Sequence, residues 1–114
     1  MKPLLTLSLI LLLGFGAGCA GIKVSVENRS SLTVSEISLG FTGGSANIPL
    51  LPPILTKTVV IHPTGESSVQ MSYLTGGNTV NTNLEVYIEP SYKGNLLITI
   101  EPDGTVNSVE NFYP

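Results

Sequence analysis

Val80-Asn81-Thr82-Asn83-Leu84-Glu85-Val86-Tyr87-Ile88 is the stretch that decides the fold class. Val80, Thr82, Leu84, Val86 and Ile88 share one parity, while Asn81, Asn83, Glu85 and Tyr87 take the other. Side chains of a strand point alternately to its two faces, so this pattern predicts a strand with one face buried. The same period recurs on both sides of it. Upstream, Val69, Met71 and Tyr73 alternate as far as the turn Gly76-Gly77-Asn78, and downstream Leu96, Ile98 and Ile100 alternate before Pro102-Asp103-Gly104. Val106 to Val109 continue after that turn, and Thr58 to Ile61 form a short strand ended by Pro63.

Nearer the N-terminus, Ile22, Val24 and Val26 alternate with Lys23, Ser25 and Glu27, and Asn28-Arg29-Ser30-Ser31 reads as a turn. Leu32 and Val34 then lie on one parity, and Ile37, Leu39 and Phe41 on the other. A one-residue slip moves every apolar side chain to the opposite face, so the switch near Ser35-Glu36 predicts a β-bulge or bend. Gly43-Gly44 closes that strand. Some seven short strands separated by turn residues, with no helical spacing, predict an all-β domain over residues 22–114. Its expected architecture is a small β-sandwich of immunoglobulin or fibronectin type III size, with a small barrel as the other solution. The chain has one cysteine and no tryptophan, so the Cys…Trp…Cys core of an antibody domain is absent.

Composition narrows function. Of 114 residues, 42% are hydrophobic, 11% charged and 6% aromatic, with a net charge of −3. One histidine cannot build a multi-histidine metal site, and His62 lies in Ile61-His62-Pro63 at a strand end. No glycine-rich phosphate loop, Gly-x-Ser-x-Gly elbow or His-Glu zinc motif occurs. The expectation is a protein that is not an enzyme and needs no cofactor or metal. Glu101 and Asp103, with Glu85 and Glu89, match no calcium-loop spacing. An acidic balance also disfavours polyanions and anionic headgroups, and nucleic acid as a partner.

Much of the apolar excess lies in residues 1–20, MKPLLTLSLILLLGFGAGCA. Lys2 is followed by an apolar run from Leu4 to Phe15, interrupted only by Thr6, Ser8 and Gly14, and then by small residues. That order is a helical secretory signal, and the run is short for a bilayer span of about 20 residues. Gly16-Ala17-Gly18-Cys19 resembles the lipobox of bacterial lipoproteins, with glycine at Gly16 where leucine is usual. The resemblance covers residues 1–20. It implies cleavage after residue 18, lipid on Cys19, and a membrane as a partner through that lipid. Ala20 in place of aspartate implies the outer membrane, periplasmic face, in a Gram-negative host. Ordinary secretion with cleavage after Ala20, or an uncleaved anchor, are the other readings of the same residues. Loss of Lys2 with the leader makes the remaining chain one unit more negative.

Only Ala20 and Gly21 separate Cys19 from Ile22, so residues 19–21 form a tether spanning about 10 Å at full extension. The domain is therefore expected to lie against the bilayer as a binding or structural module of the cell envelope. An inhibitor or immunity protein, or a solute- or metal-binding lipoprotein, are alternatives. The candidate contact for an envelope protein partner is the stretch Ile48-Pro49-Leu50-Leu51-Pro52-Pro53-Ile54-Leu55. Within it, Ile48, Leu50, Leu51, Pro52, Pro53 and Ile54 are the residues singled out. The favoured reading of the same stretch is a crossover that closes a sheet edge and buries those side chains, because prolines are common there. Asn81, Asn83, Tyr87 and Tyr92 form a polar face suited to glycan or protein, or simply to water.

Overall fold

The computed structural model describes residues 21–114. The expected signal segment and Cys19 both lie outside the described residues. The described chain forms eight strands: β1 (Ile22–Asn28), β2 (Val34–Phe41), β3 (Gly44–Leu51), β4 (Thr56–Ile61), β5 (Gln70–Thr75), β6 (Asn78–Asn83), β7 (Lys93–Ile100) and β8 (Val106–Tyr113). They build two four-stranded sheets, β4-β1-β7-β8 and β3-β2-β5-β6. The molecule is an all-β sandwich. Every pairing is antiparallel except β1 with β7, which run parallel from Ile22↔Gly94 to Asn28↔Ile100.

The parity switch in β2 is a bulge. Ser35 pairs with Leu74 and Ser38 with Ser72, so Glu36 and Ile37 together oppose Tyr73. Glu36 takes a φ of 50°, which turns the chain by one residue and brings Ile37 to the core alongside Val34. On the opposite side β3 follows β2 without a shift, Ser35 facing Leu50 and Ile37 facing Ile48. Thus β3 inherits the same irregularity: Ile48 and Leu51 are buried three residues apart, and Pro49 and Leu50 face out between them. This is why sequence period missed β3 and predicted about seven strands instead of eight. Pro49 is tolerated because β3 is an edge strand, where one side of the backbone needs no ladder partner.

The stretch at Val80–Ile88 is shorter as a strand than its alternation predicts. β6 ends at Asn83, and Glu85 adopts a φ of 58°. Leu84, Val86 and Ile88 are nevertheless buried, because this segment crosses from one sheet to the other along the sandwich edge. It is held to the β4–β5 connection by Leu84 N–H to Val69 O (3.0 Å) and by paired bonds between Ser67 and Ile88 (3.0 and 2.9 Å). Alternation therefore identified the buried face correctly while the ladder partner changed. β8, in contrast, runs on past Val109 to Tyr113.

Eighteen buried apolar residues from both sheets form one continuous core, with Ile22, Ile37, Leu39, Leu51, Tyr73, Leu96 and Ile98 among its largest fully buried side chains. The sandwich has two distinct ends. At one end lie the start of β1, the end of β4, the start of β7 and the end of β8. We call this the proximal end, because Gly21, which leads into β1, lies there. The loops β1–β2, β3–β4, β5–β6 and β7–β8 lie at the distal end.

Candidate functional site

The distal end carries an apolar tip. The β3–β4 connection places Ile54 84% exposed, with Leu50 and Leu55 about half exposed and Pro52 and Pro53 half-buried. Leu32, also about half exposed, belongs to the adjoining β1–β2 loop. Ile54 has a φ of 72°. A β-branched residue is strained there, by about 1–2 kcal/mol for any side chain with a Cβ. The strain persists because Ile54 N–H donates to Asn28 O (2.7 Å) and Leu55 O accepts from Asn28 N–H (3.0 Å).

Asn28 anchors this tip from inside. Its side chain is fully buried, and both Nδ2 hydrogens are used, on Leu32 O (2.8 Å) and Leu51 O (3.0 Å). Its Oδ1 accepts from Ser30 N–H (3.0 Å) and Ser30 Oγ–H (2.7 Å). A buried polar group is stable only when such partners are present. The tip is thus an aliphatic surface on a rigid base. Of the stretch singled out from sequence, Ile48 and Leu51 belong to the core and are no contact residues. Leu50, Pro52, Pro53 and Ile54 stay on the surface.

The proximal end carries a groove that sequence reading identified only in part. It has a volume of about 510 Å³ and is lined by Tyr87, Tyr92, Phe112, Tyr113, Pro114 and the polar pair Glu110 and Asn111. Tyr92 stands edge-on to Tyr87, with centroids 6.1 Å apart, and tilts against Phe112 at 5.7 Å. Both separations suit aromatic pairing. Tyr87 and Tyr113 remain about half exposed. Tyr87 donates its hydroxyl to Glu89 Oε2 (2.9 Å). Partial burial, then that bond and the nearby Glu66 carboxylate, raise the Tyr87 phenol well above its usual pKa. Phe112, Tyr113 and Pro114 sit in the last residues of the chain, where no spacing ties them to Tyr87; antiparallel pairing of β8 with β7 brings them together.

Other sequence-marked residues do not converge. Asn81 and Asn83 lie on β6 in the sheet opposite β8, and Asn83 Oδ1 accepts from Glu85 N–H (2.9 Å). Glu101 and Asp103 occupy the distal β7–β8 turn, whereas Glu85 and Glu89 lie in the β6–β7 connection at the proximal end. Their contacts are separate: Glu101 also faces Arg29 of the β1–β2 loop (3.8 Å). Asp103 Oδ1 accepts from Thr105 N–H (3.0 Å) and Oγ1–H (2.7 Å), which lowers its pKa, and Glu101 Oε2 accepts from Asn107 (3.1 Å). Among the described residues no three histidine, cysteine or acidic side chains are grouped to hold a metal ion. His62 is exposed at the end of β4, beside Gly21.

No family model matches the chain, and no curated protein matches it. Among solved structures, an NMR structure of a protein from Eubacterium rectale is similar. It aligns with a TM-score of 0.58 at 11% identity, covering 82% of this chain and 90% of that one. At that identity the likeness is one of fold, and it shows the two-sheet sandwich.

Proposed function

We propose that this chain is a bacterial envelope lipoprotein, anchored through Cys19, whose sandwich is a non-catalytic module presenting its distal tip to an envelope protein. One observation supports this above the rest. The lipobox-like Gly16-Ala17-Gly18-Cys19 is followed almost at once by β1, so the apolar tip at Ile54 lies at the end opposite the anchor. Confinement by lipid raises the effective concentration of a module for neighbours on the same membrane. The strain at Ile54 supports the contact role, since an exposed isoleucine gains nothing for folding from a positive φ.

Cys19→Ala abolishes lipid labelling and retention in the membrane fraction. Unchanged maturation and fractionation of that variant overturn the anchor. Ile54→Gly and Leu50→Ser weaken crosslinking to an envelope protein by about tenfold or more, as loss of a central aliphatic contact does. The melting temperature of Ile54→Gly stays level or rises, because glycine relieves the positive φ. Crosslinking at the wild-type level in both variants overturns the contact tip.

A further inference from the structure

The aromatic groove and the tether leave from the same end of the sandwich. Ile22 pairs with Gly94, Gly94 with Phe112, and Lys93 with Tyr113, so Gly21, Lys93 and Tyr113 lie level across three adjacent strands. A second cleft of about 200 Å³ is lined by Gly21, Lys23, Lys93, Gly94, Asn95 and Tyr113, which joins the tether's exit to the edge of the aromatic groove. Neighbouring strands are about 4.8 Å apart, so Tyr113 lies only about 10 Å sideways from that exit.

The tether also has little slack. Gly21 is half-buried with a φ of 65°, and a Cβ added there would come within 2.7 Å of Ile61 O and 2.8 Å of the His62 ring. Gly21 is therefore packed as part of the domain. The headgroup layer on each side of a bilayer is about 5–8 Å thick, the difference between a core of about 30 Å and a total of about 40–45 Å. A lipidated Cys19 lies at the base of that layer, and Ile22 is at most about 10 Å from it. Whatever surrounds Gly21 meets headgroups.

The aromatic and basic side chains around it have the chemistry of that layer, with Glu110 as the acidic residue lining the groove and Glu89 bonded to Tyr87. Tyrosine favours the membrane–water boundary because its ring is apolar and its hydroxyl is wet, and lysine extends from there to phosphate. Three of the chain's four tyrosines line this groove, with Lys23 and Lys93 beside it. We infer that the proximal end is a membrane seat: Tyr87, Tyr92, Phe112 and Tyr113 enter the headgroup layer, and Lys23 and Lys93 meet lipid phosphates. The seat fixes the domain's orientation and holds the Ile54 tip away from the bilayer. This inference rests on the anchor at Cys19.

The chain has no tryptophan, so a single introduced indole reports its own position alone. Full-length Tyr113→Trp and Tyr87→Trp, matured to the lipidated form, are reconstituted into phosphatidylethanolamine–phosphatidylglycerol vesicles containing brominated lipid. Thr79→Trp, exposed beside the distal β5–β6 turn, is the control. The proximal indoles shift to shorter wavelength and lose about half their emission or more, as interfacial rings do, while the control is unchanged. Lipidated protein that floats with vesicles but shows water-like emission at positions 113 and 87 overturns the seat and leaves the anchor standing. Protein that carries no lipid and does not float overturns the anchor, and the seat with it.

Discussion

Asn28 shows how one side chain can hold a loop surface together. It lies in a turn by sequence, but in the fold it is the buried junction of β1, the β1–β2 loop, the end of β3 and the β3–β4 connection. Asn28→Ala keeps the backbone bonds and strands Leu51 O and Ser30 N–H, at a cost of about 3 kcal/mol. For a domain of this size that lowers the melting temperature by about 12–24 °C, measurable by calorimetry. A fall of only a few degrees would show that water replaces the lost partners. Gly94 is a backbone case. Its φ is 120° and an added Cβ would collide with Asn111 O across the β7–β8 pair, so glycine is required where the aromatic groove begins.

At the scale of an element, β3 is the informative strand. Its ladder partner is the bulged β2, so its buried positions Ile48 and Leu51 fall three apart and resemble neither a strand nor a helix in sequence. Period-two reading fails there for a tertiary reason: the bulge is written in β2, and β3 copies it through pairing. The consequence is testable with adjacent residues. Leu51→Ser removes a fully buried side chain and leaves a cavity with a hydroxyl in it, costing about 4 kcal/mol. Leu50→Ser, on the outer face, changes stability by about 0.5 kcal/mol or less. Urea unfolding separates the two, and equal effects would place Leu50 in the core as well.

For the whole molecule, pH dependence follows from the tyrosines. Burial raises the pKa of Tyr73, which sits in the core between the sheets, and Tyr87 at the groove is raised too. In the unfolded chain both phenols ionise near 10.0. The folded state therefore prefers them neutral. Its advantage is complete below pH about 10 and is lost as pH rises through the raised folded values. Ultraviolet titration alongside circular dichroism checks this: the Tyr73 phenolate, assigned with Tyr73→Phe, appears together with loss of strand signal. Ionisation of Tyr73 with the sandwich intact would contradict its burial.

Local pattern carried most of the architecture. Alternation at Val24, Val26, Met71, Leu96 and Ile98 identifies inward faces, and the switch at Ser35-Glu36 marks the bulge, because side-chain direction in a strand is a property of neighbours in sequence. The signal-like run ending at Cys19 is likewise a local pattern, which supplies the proposed anchor. Two things were decided only by the folded chain. Which half of Ile48–Leu55 is core and which is surface depends on pairing with a bulged neighbour. The convergence of Tyr87, Tyr92, Phe112 and Tyr113, with Tyr113 beside Gly21, depends on β8 returning antiparallel to β7 and on β7 lying parallel to β1. Contacts between residues far apart in sequence come from strand order and register, and no local period contains them.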